Sequence, residues 1–523
     1  MAGVRNILFI MCDQLRADYL GCAGHKTLKT PNIDRLAAMG VCFTRAYCQA
    51  PVCGPSRMSF YTGRYVSAHG ATYNGVPLPV GIPTMGDYLR PLGLRTAVVG
   101  KTHVAPDIGG MKRLGIESSP ESRLLGQAGF EPYARDDGLH PETGSRVRSP
   151  YNDYLRSLGY AADNPWHDYA NSATDGDGRV VSGWHLHNAG LPARIDPEHS
   201  ETAFTTDRAL DFITECGEAP WCLHLSYIKP HWPYMAPAPF HAHYGADDVQ
   251  PVYASKGELD NPNPVYAAFA ALPFSREFGK PRTRRRVIPT YMGLVSEIDR
   301  HLGRLLARLE ASGRLADTMI VFTSDHGDYL GDHWLGEKDL FHEQSVRIPL
   351  IIYDPDPAAE PARGTTDDRL VEAVDLLPTF IDALGGAPEP HLLDGASLLP
   401  AMRGPADAPP RDAVVSEGDF SFSAARHALG LAPYEARGTM IRTATHKYVD
   451  FGKSGSQLFD LDDDPLELKD LSPDSGYKSV RREMADRLFE WFRTRRTQRQ
   501  LSDHEVEART GKDREHGFLI GVW

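Results

Sequence analysis

The amino-acid sequence predicts an α/β protein with a largely parallel central sheet covered by helices, followed by a smaller antiparallel unit. Three observations carry this reading. Short, nearly continuous apolar runs such as NILFIMC (6–12) and MIVFT (319–323) have the composition of strands buried on both faces. Segments of helical periodicity alternate with them, as in a sheet wrapped by helices. From about residue 405 the pattern changes to short alternating runs, GTMIRTATHKYVDF and SQLFDLD, which suit a small antiparallel sheet.

Taken in order, Asn6 to Cys12 reads as an interior strand ending at Asp13. In TPNIDRLAAMG, Thr30 can cap a helix, Pro31 can open it and Gly40 stands just beyond its end. Thr96 to Val99 is a strand leading into GKTH, Phe204 to Ile213 a helix, and CLHLSY from Cys222 the next strand. A longer helix is expected over Thr290 to Leu309, where Leu294, Val295, Ile298, Leu302, Leu305 and Leu309 recur on one face. The strand at Met319 to Thr323 exits into SDHGD. After the loop DPDPAAEPARG, Val371 to Leu384 reads as helix, and Tyr477 to Arg495 as a charged helix with Val480, Met484, Leu488 and Trp491 on one side.

This organisation predicts a catalytic domain over 1–400 and, over 401–523, an antiparallel subdomain, a helix and an oligomerisation tail. The polar passages near 105–200 and 230–285 are too long for ordinary connections, and are assigned as insertions to the site surroundings or to oligomer contacts. The tail ends in the apolar FLIGVW, which is expected to dock onto a second subunit of a homodimer or homotetramer.

With 41% hydrophobic residues, the 523-residue chain has the composition of a soluble globular protein. A formal net charge of −13 argues against nucleic acid or an anionic membrane as a partner. No apolar run is long enough to span a bilayer, and MAGVRNILFIMCDQ reads as a buried strand rather than a signal peptide, so a cytoplasmic location is expected. The seven cysteines are odd in number and form no paired CxxC units, which excludes the usual zinc and iron–sulfur patterns. Taken alone, Cys53 in PVCGPSRMSFYTGR would be one more small buried hydrophobe.

The chemistry concentrates where strands end. In an open parallel sheet, ligands gather outside the carboxyl edge. Asp13 follows the first strand, and Asp325 with His326 follows the late one. Either aspartate by itself is equally a turn or helix-cap residue. Together, two carboxylates and an imidazole can hold one divalent cation: the oxygens suit calcium, magnesium or manganese, and the imidazole admits a softer ion such as zinc. Arg57, Lys101, His103, His231 and Lys338 lie beside strand ends or in glycine- and proline-rich loops. Most of the 56 lysines and arginines are solvated surface. Those grouped around a candidate metal are the donors that a tetrahedral anionic ester requires, and a histidine there can protonate a leaving oxygen; the reaction class is sulfuryl or phosphoryl transfer.

CGPSR (53–57) followed by YTGR resembles the formylglycine-directing signature of the sulfatase family in the alkaline phosphatase superfamily. NILFIMCDQ, TPNIDRLAAMGVCFTRAY, GKTH, KPHWPY and TSDHGDYLGDHWLGEKDLFHEQSVRIPL extend the resemblance in family order; VDLLPTFIDALG, DGASL and HKYVDF carry it through most of the chain. The form SDHGDYLGDH, the long insertions and the tail resemble the bacterial arylsulfatase and phosphonate monoester hydrolase branch.

The resemblance implies an alkaline phosphatase-like fold and a formylglycine made from Cys53 by a formylglycine-generating system. Its hydrate attacks sulfur or phosphorus, and its second hydroxyl allows the adduct to expel the inorganic oxyanion. The implied metal set is Asp13, modified Cys53, Asp325 and His326, with calcium or manganese the expected ion ahead of magnesium or zinc. Arg57 is implied to hold the nucleophile, Lys101 and Lys338 to bind nonbridging oxygens, His103 to assist the diol, His231 to protonate the leaving group and Asn74 to line the oxyanion pocket. Many sulfatases carry aspartate and asparagine where this chain has Gln14 and His326; Gln14 is therefore placed near the metal without being counted as a ligand. That pattern resembles the phosphonate-hydrolase branch, whereas Lys101 stands where that branch is expected to carry threonine. The implied activity is hydrolysis of organic, especially aryl, sulfate monoesters. Phosphonate monoester or phosphodiester hydrolysis is the alternative, and a catalytically inactive interaction protein is the alternative of a different class.

Overall fold

The computed structural model describes residues 3–138, 149–404, 411–495 and 501–510. All eight residues of strand β1 (Asn6–Asp13) are buried. Alternation along the strand explains why: Ile7, Phe9 and Met11 enter the hydrophobic core on one face of a sheet, while Leu8, Ile10 and Cys12 enter the core on the other. Each large side chain buried in this way contributes about 1.5–3 kcal/mol of transfer free energy.

The other strands are β2 (Val41–Tyr47), β3 (Arg95–Gly100), β4 (Glu131–Arg135), β5 (Ser172–Thr174), β6 (Val180–Ser182), β7 (Trp221–Pro230), β8 (Thr318–Ser324), β9 (Arg347–Tyr353), β10 (Thr365–Glu372), β11 (Val414–Asp419), β12 (Arg437–Arg442), β13 (His446–Asp450) and β14 (Ser456–Asp460). Eight of them form the central sheet in the order β10-β2-β9-β8-β1-β7-β3-β4. Only β9 runs against its neighbours; every other pairing in that sheet is parallel. The carboxyl ends of β1, β3, β7 and β8 therefore emerge along one edge. Strands β11 to β14 form a separate antiparallel sheet.

Several elements differ from their sequence-based bounds for identifiable reasons. The helix Pro31–Met39 ends at Gly40, but that residue is extended (φ −120°), not left-handed. Glycine is required there by proximity, since a Cβ would lie 2.4 Å from the Ile352 carbonyl oxygen of β9. The long helix runs from Pro281 to Ala311, starting nine residues before Thr290. Pro289 lies inside it, so the arginine-rich first turns carry no sign of continuity with the rest. Val371 and Glu372 belong to strand β10, and helix resumes only at Leu376–Ala383 after a tight turn. The first half of β10, TTDDR, is polar and largely exposed at the sheet edge, which hides its strand character.

The passage 105–200 supplies edge strand β4, the hairpin β5–β6 and the helices Ile108–Leu114, Pro120–Leu125 and Pro150–Ser157. The helix Lys478–Thr494 packs Met484 and Leu488 against Ile441, Tyr448 and Leu458 of the small sheet. The FLIGVW segment lies outside the described residues. Among the described residues no helix is long and apolar enough to cross a membrane.

Candidate active site

Each strand that ends at the common edge delivers a polar residue there. Asp13 is the last residue of β1, Asp325 and His326 follow β8, Lys101 and His103 follow β3, and His231 follows β7. Cys53 begins the helix Cys53–Thr62 after β2, and Arg57 lies one turn further along it. At that position the helix N-terminus favours negative charge on Cys53. Gly100, just before Lys101, has φ +93°, and a Cβ there would lie 1.9 Å from the Ser226 carbonyl oxygen, so only glycine lets β3 run this close to β7.

These side chains meet. Single donor atoms of Asp13, Cys53, Asp325 and His326 all lie within 4.8 Å of one another, and all four residues are buried. Arg57 is wholly buried and ties the group together. It donates from Nε to Asp325 Oδ2 (2.8 Å), from Nη2 to Asp13 Oδ2 (3.1 Å) and from Nη1 to the Lys101 carbonyl (2.9 Å) and Ser226 Oγ (2.7 Å). Lys101 pairs with Asp13 Oδ2. Lys338 Nζ reaches Cys53 Sγ at 3.3 Å, Gln14 Oε1 at 2.8 Å and His231 Nε2 at 3.0 Å. Asn74 accepts the Gly54 N–H at 2.7 Å.

The electrostatics follow from this crowding. Burial by itself raises the Cys53 thiol, but Lys101, Lys338 and His326, with a hydrogen bond from His103, bring it well below the ordinary thiol range. Burial and the Cys53 charge push Asp13 upward; Lys101, His231 and Arg57 reverse this and hold its carboxyl below the usual carboxylate range. Burial and then Lys338 lower His231 to about 4. His231 Nδ1 donates to the Trp232 carbonyl (2.6 Å), which leaves Nε2 as an acceptor for Lys338. His326 is raised to about 9: burial opposes its charge, but Asp325 and Cys53 prevail. Its Nδ1 bonds the Gly327 carbonyl (2.8 Å) and its Nε2 faces Cys53 Sγ (3.1 Å), so loss of the Nε2 proton leaves a lone pair aimed into the donor cluster.

The donor chemistry fits a divalent cation. Two carboxylates and an anionic position 53 converge with an imidazole whose protonation compensates part of the clustered negative charge. Gln14 has a left-handed backbone (φ 66°), donates from Nε2 to Asp328 Oδ2 (2.6 Å) and accepts from Lys338.

The site opens into a cleft of about 510 Å³ lined by Tyr73, Trp166, Trp184, Trp232 and Phe274, together with Asp137, Glu337 and Asp339. Sequence reasoning did not single out these wall residues or Asp328, which also accepts from Tyr234 OH (2.8 Å). Asp328 stands three residues after Asp325 in SDHGD, a spacing that offered a local signal. Trp166 and Trp184 come from separate segments and carry none, whereas Trp232 lies in KPHWPY directly after His231.

Residues 5–387 match the family profile described as Sulfatase, and residues 331–494 match that of the N-sulphoglucosamine sulphohydrolase C-terminal region. The chain belongs to the sulfatase family. It is 31% identical to the multifunctional alkaline phosphatase superfamily protein PehA of Trinickia caryophylli, over 93% of this chain and 95% of that protein. It is 27% identical to an arylsulfatase of Clostridium perfringens, over 90% and 91% respectively. The phosphonate monoester hydrolase SpPMH of Silicibacter pomeroyi superposes with a TM-score of 0.82 at 28% identity, covering 95% of this chain and 96% of that one. The sulfatase-family chain thus has the alkaline phosphatase-like fold, and its relatives include enzymes named for sulfate esters and for phosphonate monoesters.

Proposed function

We propose that this sulfatase-family enzyme hydrolyses organic sulfate monoesters with aromatic leaving groups, using one divalent ion and a formylglycine made from Cys53, and accepts phosphorus esters in the same site. The observation that supports this most is the convergence of Asp13, Cys53, Asp325 and His326 beside two lysines at the base of an aromatic cleft. When present, the ion and the formylglycine supply the Lewis acid and the hydrated-aldehyde nucleophile.

The chain's own residues do the rest. Arg57 holds the two ligating carboxylates in one orientation, so neither needs to reorganise as charge develops. Lys101 and Lys338 reach the nucleophile's surroundings and bind nonbridging ester oxygens. Asn74 uses its carboxamide oxygen on Gly54, which leaves its NH₂ for an ester oxygen. His103 bonds the side chain at position 53 and assists there. His231 borders the cleft; an anionic ester beside it favours its protonated form, and that proton goes to the leaving oxygen. The proposal keeps the expected homodimer or homotetramer, to be read by analytical ultracentrifugation.

Phosphonate monoester or phosphodiester hydrolysis is the second reading, favoured by Gln14 and His326 and by the structural likeness to SpPMH. Initial rates for matched p-nitrophenyl sulfate, phosphate, phosphate diester and phenylphosphonate, with one preparation of verified formylglycine content, decide between them. A preference of about tenfold in kcat/KM for sulfate, about 1.4 kcal/mol, supports the first reading. The reverse preference replaces it with the second.

A further inference from the structure

The turn KPHWP (229–233) carries His231 at its centre, and neither Pro230 nor Pro233 has a backbone N–H with which to hold it. The His231 N–H closes on the Ile228 carbonyl at 3.1 Å. Side chains supply the remaining ties. His231 Nδ1 donates to the Trp232 carbonyl (2.6 Å), and Lys229 Nζ donates to the next carbonyl, that of Pro233, at 2.9 Å. The direction of the imidazole therefore depends on a stretch of backbone that Lys229 holds in place.

The same ammonium reaches into the insertion. Lys229 Nζ donates to Asn171 Oδ1 at 2.9 Å, and Asn171 Nδ2 donates to the Trp166 carbonyl at 3.0 Å. Trp166, whose indole N–H is held by Glu201 at 2.7 Å, lines the cleft together with His231. One side chain at the end of β7 thus ties the candidate proton donor to the cleft wall. Lys229 is 5% exposed and Asn171 is wholly buried. Burial pulls the Lys229 ammonium below the ordinary lysine range, and Glu201 and Glu297 oppose this, without a direct ion pair to it among the described residues. Burying an ammonium is unfavourable, and packing alone would be served by a neutral side chain of similar length. What the charge adds is a pair of strong hydrogen bonds that fix the turn in one position.

We propose that Lys229 is a positioning residue for leaving-group protonation: its ammonium, held between the Pro233 carbonyl and Asn171, keeps His231 aimed at the leaving oxygen. This rests on the reading of His231 as the proton donor.

The test uses aryl esters of rising leaving-group basicity, p-nitrophenyl, p-chlorophenyl and phenyl, on whichever of the sulfate or methylphosphonate heads is hydrolysed faster. A structural defect lowers kcat/KM evenly along this series, whereas loss of a proton donor penalises the basic leaving groups most. His231→Ala should raise the p-nitrophenyl over phenyl ratio of kcat/KM by about tenfold or more, and Lys229→Met by about threefold or more. Asn171→Leu, which leaves the lysine in place and removes one of its acceptors, should raise the ratio by about twofold. A Lys229→Met protein that loses activity evenly across the series, or not at all, while His231→Ala steepens it, overturns the proposal and leaves the reading of His231 standing. A series that His231→Ala does not steepen, or the absence of turnover of every ester, overturns both. If Lys229→Met does not fold, Asn171→Leu decides by the same criterion.

Discussion

Replacing Arg57 by alanine would remove the guanidinium that bridges Asp13 and Asp325, both at zero exposure, leaving Asp13 to Lys101 and Asp325 to His326 at 3.8 Å. Breaking a buried ion pair from one side costs about 3–5 kcal/mol. At about 2.1 cal/mol/K of unfolding entropy per residue, this 523-residue chain carries about 1.1 kcal/mol/K, so the melting temperature should fall by about 3–5 °C. Arg57→Lys keeps the charge but cannot reach four acceptors at once, and should fall between the wild type and the alanine variant. Calorimetry on chelator-treated protein isolates the effect. With a divalent ion added, the alanine deficit should shrink, because the ion pairs with the same carboxylates. A chelated Arg57→Ala protein melting within about 1 °C of wild type, or a lysine variant indistinguishable from alanine, would refute this account of Arg57.

The His326 pKa, raised from 6.5 to about 9, stabilises metal-free protein fully below about pH 6.5, and that stability is lost as pH rises through about 9. Melting temperature against pH should show this decline in wild type, lose it in His326→Asn, and show it flattened by bound metal. Ion binding near pH 8 should release protons in proportion, seen as a dependence of calorimetric binding enthalpy on buffer ionisation. Gly100→Ala places a Cβ 1.9 Å from the Ser226 carbonyl in a left-handed position, and should cost about 2–3 kcal/mol while lowering kcat/KM about tenfold through Lys101; unchanged unfolding and kinetics would contradict the close approach of β3 to β7. Cys53→Ala should abolish the aldehyde found by trapping and peptide mass spectrometry and reduce kcat by about 10³-fold or more. Full activity in protein free of aldehyde would exclude formylglycine as the nucleophile. Lys338→Ala should raise the pKa of His231 from about 4, since the ammonium at 3.0 Å is the largest nearby charge lowering it; histidine C2-hydrogen exchange read by mass spectrometry reports the shift.

The sequence was most legible where one physical signal dominates. NILFIMCD and TMIVFTS are buried throughout, and their apolar composition marks them as interior strands without help from neighbours. The donor residues at their ends were legible for the same reason, because a polar side chain directly after a buried parallel strand has only the sheet edge to occupy. Edges were harder to read. Strand β10 begins TTDDR and β4 reads EPYAR; each is solvated on part of its surface, so neither shows the run or the alternation that identifies a strand. Pro289 concealed the first turns of the long helix by imitating a boundary. The cleft wall was illegible in principle: Tyr73, Trp166, Trp184, Trp232 and Phe274 are far apart in the chain, and only the folded loops bring them to one place.

The burial of Cys53 also sets a clock. At 1% exposure its sulfur is closed off by side chains from residues 13, 101, 231, 326 and 338, the last of which lies 285 positions downstream. Under the proposed conversion, an oxidising enzyme that must grip the surrounding peptide has to act before the chain folds. At about 5–20 residues per second, synthesis reaches Lys338 roughly 15–60 s after Cys53 is made. Because β1 pairs with β7 and β8, about 215 and 312 residues later, the sheet that seals the pocket is also late to form. If Cys53 is converted as proposed, the topology leaves the thiol accessible for tens of seconds and then withdraws it, so the extent of conversion would be set by a race between modification and folding, and slower translation or a delayed β8 would favour the modified protein.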